Sequence, residues 1–387
     1  MPRQRGWRRC RCVSSHPACG GTRGVGIIGA VGSVGAVAKE TRMFKYLSGA
    51  ARPQPRRRSG LHLLAPLCAA ALWASPAQAQ FFKDAQLEAA LRADKPGDLA
   101  RLARERAASA PAEAQTALLH AVVALERDAA APRKDALARA EACMKATPQA
   151  AECHYAFGAV LGVQALSEGM FKAARSIGSV RDSLAQAVAL EPGWFPARSA
   201  LVLFYLEVPG VMGGSAAKAA EVAQAAPRPE QVRALQGRIA LADGKAESAL
   251  AVLAPLAANG DLAVADDARQ WAEQAAHKLL NDGEPAKAAG YFDLAARDRP
   301  GHAGGAYGLA RVKAETGALE EALKLFEQAA ALKGTEPYPI EYRRGLVLQK
   351  LGRNDAAKMA YTRFVEAGRG RKNQLEDARK RLSEMGS

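Results

Sequence analysis

Two cysteines and one neighbouring histidine are the side chains of this sequence whose types and spacing could support covalent chemistry. Cys153 is followed directly by His154, and Cys143 lies ten residues earlier. A Cys–His pair acts as nucleophile and base only when the two side chains face each other and a third group orients the histidine. Adjacent residues on a helix point about 100° apart, and no orienting acid or oxyanion donor is indicated. We therefore predict no catalytic residues and no enzymatic activity.

Cys143 and Cys153 are better placed for a disulfide. The sequence predicts Cys143 near the end of one helix and Cys153 near the start of the next, with Thr147 and Pro148 in the turn between them. Antiparallel helices that meet at a short turn bring such positions together, and an oxidising compartment favours the bond. The bond requires Cα atoms about 4.4–6.8 Å apart. Two buried free thiols are the alternative interpretation.

Neither a metal site nor a phosphate site is indicated by the spacing of polar residues. The histidines beyond residue 79 are isolated and lack ligand-like spacing; they are His120, His154, His277 and His302. The glycine-rich stretch 209–214 lacks the Lys-Ser/Thr pair with which a phosphate-binding loop contacts phosphate and metal. A turn between helices is the simpler explanation of these glycines, and a ligand-binding loop is the alternative. We expect no metal and no cofactor.

The positive charge of the chain is concentrated at its N-terminus. The formal net charge is +15, but residues 1–79 hold 13 of the 54 Lys and Arg residues and a single acid, Glu40. Residues 80–387 therefore carry 41 basic and 38 acidic residues, a net charge of +3. A nearly neutral body lacks the basic surface typical of nucleic-acid binding, so we predict no nucleic-acid partner.

The N-terminal region has the organisation of a secretory signal peptide. Arg56–Arg58 precede an apolar run at 61–75, and the small-residue sequence 77–79 follows. A basic region, a short apolar region and an A-x-A site are the parts of such a peptide, and the run is shorter than the roughly 20 residues that span a bilayer. We predict cleavage between Ala79 and Gln80, export to the periplasm, and no transmembrane span in the mature chain. An uncleaved anchor or a buried helix is the alternative.

Translation is predicted to start at Met43. A signal peptide begins close to its basic region, and Met43 stands thirteen residues before Arg56. Residues 1–42 are rich in Arg, Gly and Val and show no amphipathic period, so we interpret them as a non-native extension and 43–79 as the signal peptide. The three cysteines of the extension are accordingly not interpreted as a metal site.

A repeat organises the elements that must position any binding side chain. Four glycines recur at intervals of 39, 34 and 35 residues, each between two segments of helical apolar periodicity. A fixed period of this length is the signature of a repeat architecture. Glycine is favoured at such turns because it tolerates the left-handed backbone at a helix end. The four are Gly244, Gly283, Gly317 and Gly352.

The residues around these glycines resemble the tetratricopeptide repeat (TPR) family. In that family a small residue lies seven positions before the turn glycine, where the two helices of a hairpin touch; here these are Gly237, Ala276, Ala310 and Gly345. A second small residue lies five positions after the glycine, and a large one follows four later; the large ones are Leu253, Phe292, Phe326 and Tyr361. Small side chains let two helices approach within the short end of the usual 8–10 Å interaxial range.

The resemblance implies an all-α fold: a right-handed α-solenoid of about seven TPR-like helix pairs with a C-terminal capping helix. Within it we predict diverged N-terminal hairpins at 80–149 and enlarged hairpins with a Gly-rich turn at 150–228. Regular units follow at 229–369, and the cap occupies 370–387. The PG-x-x-GG turn of the second region resembles that of some exported bacterial TPR proteins.

The resemblance also implies where a partner binds. In TPR arrays the first helix of each hairpin lines a concave groove that holds a partner protein or peptide, and tyrosine and arginine are common interface hot spots. The groove candidates are Tyr155, Arg238, Glu273, His277, Tyr307, Arg311 and Tyr342. Ordinary solvated or inter-hairpin positions are the alternative for each. We predict a non-enzymatic protein–protein interaction scaffold of the periplasm; the alternative is a small-ligand or cell-wall-polymer binder that uses 167–214.

Overall fold

The computed structural model describes residues 80–93, 96–126, 130–168 and 170–386. Within these ranges the chain forms α-helices and two short 3₁₀ segments, Gly210–Met212 and Ala254–Ala258, and no strand. The helices are α1 (Ala85–Arg92), α2 (Pro96–Ser109), α3 (Ala114–Glu126), α4 (Ala130–Ala146), α5 (Ala151–Glu168), α6 (Met170–Leu190), α7 (Phe195–Glu207), α8 (Ala216–Gln224), α9 (Pro229–Ala242), α10 (Ala246–Leu253), α11 (Leu262–Asn281), α12 (Pro285–Asp298), α13 (Ala303–Glu315), α14 (Leu319–Ala330), α15 (Ile340–Lys350), α16 (Asn354–Ala367) and α17 (Lys372–Gly386).

The fold is an all-α solenoid of helical hairpins, as the sequence predicts. Every helix packs against the next one along the chain, and the first helices of neighbouring hairpins also touch, from α3 with α5 through to α13 with α15. Seven consecutive hairpins run from α3 to α16, preceded by α1 and α2, and α17 packs on α16 at the C-terminal end. Each hairpin thus buries its apolar face against its neighbours. Among the described helices, none combines the length and the apolar character that a membrane crossing needs.

The four repeat glycines end the first helices of the last four hairpins. Gly244, Gly283, Gly317 and Gly352 have positive φ angles between 73° and 85°, a conformation that only glycine adopts readily. Each lies between the two helices of one hairpin. The predicted helix-to-helix turns are confirmed.

The small residues of the repeat lie directly under large side chains of the partner helix. A Cβ atom added to Gly237 would be 2.6 Å from Leu253, and one added to Gly345 would be 2.5 Å from Tyr361. Both pairs are the small and large positions of the predicted repeat. Because real Cβ atoms essentially never come within 3.0 Å of another heavy atom, these contacts set how closely the two helices approach.

The hairpin of α5 and α6 is enlarged within its helices. The enlargement predicted within 150–228 lengthens α5 to 18 residues and α6 to 21, instead of forming an inserted loop. The two helices still meet at a small residue, because a Cβ atom on Gly158 would lie 3.0 Å from Leu184. The longer helices therefore pack through a small residue under a large one, as the shorter helices do.

Several predictions fall on residues outside the described ranges. The extension at 1–42, the signal peptide at 43–79 and Ala79 at the cleavage site are among them. The start at Met43, the cleavage and the export of the chain remain predictions.

Replacing Gly308 with alanine is expected to destabilise the protein by about 1–3 kcal/mol. Gly308 lies on α13, and its added Cβ would be 1.9 Å from the Phe292 ring of the preceding helix, α12. Chemical denaturation measures the effect. Gly290→Ala is the matched control, since this exposed position of α12 has nothing within 4 Å of a new Cβ. The control should be stabilised by about 0.5–1 kcal/mol. A Gly308→Ala protein as stable as wild type would contradict the close packing.

Candidate functional site

The predicted groove residues divide into two stretches along the first helices of the hairpins. The N-terminal stretch consists of Tyr155 on α5 and Arg238 on α9, and both side chains are buried. The C-terminal stretch lies on the second half of α11 and on α13 and α15. Its Tyr307 and Arg311 are buried, and Glu273, His277 and Tyr342 are half-buried. The two stretches differ in charge as well as in accessibility.

Arg238 on α9 lies between hairpins and is not displayed in the groove. Only 1% of it is exposed. Its Nη1 donates to the carbonyl oxygen of Ser199 on α7 at 2.6 Å, and its Nη2 donates to Asp267 Oδ1 on α11 at 2.5 Å. The guanidinium lies over the ring of Trp271, 4.3 Å from its centroid. The interpretation of Arg238 as a partner contact is therefore corrected: it joins three consecutive first helices.

Asp267, whose side chain is 11% exposed, is the counter-ion of Arg238. Its Oδ1 also accepts a hydrogen bond from Ser199 Oγ at 2.8 Å. Burial raises the pKa of Asp267, and the positive charge of Arg238 opposes this shift. The carboxylate thus depends on the arginine to remain ionised inside the protein.

Tyr155 on α5 is also buried, with 2% of its surface exposed. Its ring lies 5.0 Å from that of Trp194, at the start of α7, and 5.9 Å from that of Phe81, which precedes α1. The burial strongly raises the pKa of the Tyr155 hydroxyl. The N-terminal segment of the chain covers this residue, so the prediction that Tyr155 is open to a partner is also corrected.

Glu273 and His277 on α11 belong to a partly exposed aromatic cluster. Tyr338 donates its hydroxyl proton to Glu273 Oε1 at 2.5 Å, and its ring stacks on Tyr307 at 4.6 Å. His277 Nε2 lies 3.5 Å from Glu273 Oε1. Burial alone would raise the pKa of Glu273, but His277 and Tyr338 hold that pKa below its usual value. Glu273 is therefore an ionised carboxylate that already contacts Tyr338 and His277 within the protein.

Arg311 on α13 is buried beside neutral partners. It is 5% exposed, its Nη1 lies 3.3 Å from His277 Nδ1, and its Nη2 donates to Asn281 Oδ1 at 2.8 Å. Burial, reinforced by the positive charge of Arg343, lowers the pKa of Arg311 to about 10. Because a guanidinium only donates, His277 Nδ1 accepts and its proton is on Nε2. Burial, reinforced by the two arginines and opposed by Glu273, lowers the pKa of His277, and an accepting Nδ1 belongs to the neutral imidazole.

Arg343 on α15 adds a second positive charge next to Arg311. It is half-buried, and within the described residues the Nε atoms of both arginines are buried and lack a hydrogen-bond partner. The Nε of the adjacent Arg344 is buried without a partner as well, but its two Nη atoms donate to Glu341 and Glu327 at 2.7 and 3.1 Å. The C-terminal stretch therefore presents two arginines whose charges are not neutralised by a contacting carboxylate.

Tyr342 attaches the C-terminal helix and is not a free groove residue. Its hydroxyl donates to Asp377 Oδ2 on α17 at 2.9 Å, and its ring lies 5.3 Å from that of Phe364. Arg381 donates to the same Asp377 oxygen at 2.7 Å. The prediction that Tyr342 contacts a partner is thus corrected to a contact with α17.

The glycine-rich turn at 209–214 uses its own amides. The N–H groups of Met212 and Gly214 donate to the carbonyl of Pro209, and that of Gly213 donates to Gly210. A phosphate-binding loop instead directs such N–H groups at the ligand. Two cavities of about 490 and 80 Å³ lie elsewhere, one beside Lys83 and the other between Ala254–Ala258, α11, α12 and the start of α13. The turn therefore has the geometry of a helix–helix connection.

Cys143 and Cys153 form a disulfide in the structure. It joins the end of α4 to the start of α5, with Cα atoms 5.6 Å apart. Both side chains are fully buried. Cys153 and His154 do not form a catalytic pair, since the cysteine is bonded and the His154 Nε2 lies 2.9 Å from the carbonyl oxygen of Pro148.

Several residues on which both stretches depend were not predicted from the sequence. Tyr338 precedes α15 in a connection outside the repeat register, and Arg343 lies two positions before the small residue Gly345. Asp267 was missed because acidic residues are common on solvated helix faces. The sequence offered one signal for Arg343: no acidic residue stands three or four positions from it.

No protein-family model matches the sequence, and no curated protein matches it. Solved structures of low identity share the helical-repeat architecture. They include a human IFIT1 dimer with PPP-AAAA, at 15% identity over 74% of this chain and 68% of that one, with a TM-score of 0.45. Pseudomonas aeruginosa pilF is 14% identical over 60% and 98%, with a TM-score of 0.40. A tetratricopeptide repeat protein from Parabacteroides merdae is 12% identical over 76% and 99%, with a TM-score of 0.42. The likeness concerns the fold alone.

The disulfide is expected to leave no reactive thiol in the unreduced, unfolded chain beginning at Gln80. Reduction should lower the free energy of unfolding by about 3 kcal/mol, because the bond closes a loop with a sequence separation of 10. Thiol labelling in denaturant and denaturation with and without reductant measure the two effects. Two labelled cysteines in the unreduced protein would contradict the bond.

Replacing Arg238 with methionine is expected to destabilise the protein by about 3–5 kcal/mol, because it leaves the Asp267 carboxylate buried and unpaired. Arg297→Ala is the control, since Arg297 forms an exposed pair with Asp293 one helical turn away and should change stability by less than about 0.5 kcal/mol. Thermal or chemical denaturation measures both. Equal effects of the two substitutions would contradict the structural role of Arg238.

Proposed function

We propose that this protein is a non-enzymatic scaffold that binds an acidic, extended segment of a partner protein against α11, α13 and α15. The observation that carries the proposal is the pair Arg311 and Arg343: the positive charge of Arg343 acts on Arg311, and no carboxylate of the described residues contacts either guanidinium. A carboxylate from a partner would supply the missing counter-charge.

The energetic argument starts from the cost of burying a guanidinium. Arg311 is nearly buried, and its contacts to His277 and Asn281 are to neutral groups. Desolvated cations are stabilised most by charge-assisted hydrogen bonds to carboxylates. The half-buried Arg343 remains within reach of solvent, so an incoming carboxylate can approach from the groove. The site is thus preorganised for an anion.

A peptide fits this site better than a nucleic acid does. His277, which contacts Arg311, lies 5.6 Å from the ring of Tyr307 and 6.4 Å from that of Tyr338. Tyr307 is buried, and the half-buried Tyr338 that stacks on it supplies aromatic surface of the kind common in protein interfaces. Residues 80–387 have a net charge of only +3, whereas nucleic-acid binding relies on many phosphate contacts. Two arginines are enough for one or two acidic side chains.

The periplasm is the compartment in which we propose that the scaffold acts. The basic, apolar and small-residue regions before Gln80 support export, and a disulfide is typical of proteins that leave the reducing cytoplasm. The proposed binding surface lies within the regular units that we assign to 229–369. Export would give the groove access to proteins of the cell envelope.

Replacing Arg343 with alanine is expected to weaken binding of an acidic peptide by about tenfold, or ~1.4 kcal/mol. The probe is a fluorescein-labelled decapeptide of alternating glutamate and leucine, and fluorescence anisotropy measures its affinity. Arg344→Ala is the matched control, because Arg344 is already paired with Glu341 and Glu327. This control should bind like wild type. Raising the salt concentration should weaken binding to wild type more than to Arg343→Ala.

Equal binding by wild type and Arg343→Ala would contradict the proposed site. Tighter binding of an oligoadenylate RNA of similar length than of the acidic peptide would favour a nucleic-acid partner and overturn the proposal. A decapeptide of alternating lysine and leucine should not bind at these arginines.

A further inference from the structure

The N-terminal segment 81–92 departs from the hairpin pattern of the rest of the solenoid. Its helix α1 has eight residues, fewer than any first helix of the hairpins that follow. A helix of this length is not stable by itself in water, so its contacts with the solenoid hold it in place. One of these contacts joins Arg92 to Asp266 on α11, 174 residues further along the chain.

An aromatic side chain anchors the start of the segment. Phe81 is 2% exposed, and its ring lies 5.9 Å from that of Tyr155 and 6.2 Å from that of Trp194. These two rings come from α5 and from the start of α7, so Phe81 bridges two hairpins. A buried aromatic in a pocket of other aromatics is typical of the residues that carry most of the energy in peptide recognition.

Two cations anchor the segment to acidic residues of the groove. Lys83 Nζ lies 2.8 Å from Glu152 Oε1 and 2.7 Å from Glu191 Oε2, and Arg92 pairs with Asp266. The side chains of Glu152 and Asp266 are 5% and 6% exposed. Carboxylates buried to this degree need a cation close by. Glu152 has Lys83, and Asp266 has both Arg92 and Arg269, the latter on its own helix at 2.8 Å. Residues 81–92 also hold Asp84 and Glu88, so their net charge is zero, and the complementarity to the surface beneath lies in these cation–carboxylate contacts.

We propose that residues 81–92 are a resident ligand of the N-terminal half of the groove, which leaves and rebinds as a unit while the hairpins stay folded. The covered surface beneath it is a peptide-binding surface that selects an aromatic residue and two cationic side chains at the spacing of Phe81, Lys83 and Arg92. It is lined by Glu152, Tyr155, Glu191, Trp194 and Asp266. Because its charge is opposite to that of the arginine pair, its test is independent of the proposed function.

The test compares full chains for binding of a fluorescein-labelled synthetic peptide of residues 80–93. A chain with Phe81→Ala and Arg92→Ala has a weakened resident segment, so it is expected to bind the peptide at least about tenfold more tightly than wild type does. A peptide with the same two substitutions should lose this affinity. Arg101→Ala is the control chain, since Arg101 forms exposed pairs within α2, and it should bind the peptide as weakly as wild type.

Hydrogen–deuterium exchange of the wild-type full chain provides a second measurement that does not depend on a variant. The amides of α1 are expected to exchange faster than those of α3, and an excess of unlabelled peptide should accelerate α1 further by occupying its surface. Equal protection of α1 and α3, unchanged by the peptide, would overturn the proposal. A folded double variant with an exposed α1 that does not bind the peptide would overturn it as well.

Discussion

The closest approach of two helices, a small residue under a large side chain, is the constraint on which the rest of this structure depends. Gly237 under Leu253 and Gly345 under Tyr361 leave no room for an additional carbon atom. This contact sets the spacing of the two helices within a hairpin, and large residues such as Phe292 then fill the space against the next hairpin. The first helices of neighbouring hairpins are thereby brought into contact with each other.

Close packing of the first helices determines what their polar side chains can do. Arg238 is surrounded by α7, α9 and α11, and it makes a buried pair with Asp267 that links them. Arg311 occupies the same position of the repeat two hairpins later, but it meets His277 and Asn281 instead of an acid. One arginine is therefore neutralised within the fold and the other is not, although both follow the small residue of the repeat.

The two halves of the groove consequently differ in their charge and in whether another segment of the chain lies over them. The N-terminal half presents acidic groups and is covered by a segment of the same chain that contributes an aromatic residue and two cations. The C-terminal half presents Arg311 and Arg343, with stacked tyrosines beside them. One repeat architecture can thus present two surfaces that prefer ligands of opposite charge. The exposed side chains of a hairpin vary independently of the small and large residues that pack its helices.

Much of the fold was predictable because its constraints are local in sequence. The turn glycines and the small and large positions lie within one hairpin. Accessibility of the groove candidates was harder to predict. The repeat register correctly places Arg238, Tyr155 and Tyr342 on first helices, but it does not include Asp267, Phe81 or Asp377, which cover or pair with them. Burial of a helix face depends on which side chains the neighbouring elements supply.

The sequence by itself determined the helical hairpins, their period and the turns between them, since each hairpin packs mainly on its neighbours and repeats the same contacts. Only the tertiary structure decided which arginine is paired, which is not, and where α1 lies. The pairing of Arg92 with Asp266 joins residues 174 positions apart, and a repeat pattern carries no information about a contact at that separation. The physical reason is that sequence periodicity reflects the packing of adjacent helices. The burial of a side chain and the pairing of its charge depend on helices that are far apart in sequence and meet only in the folded solenoid.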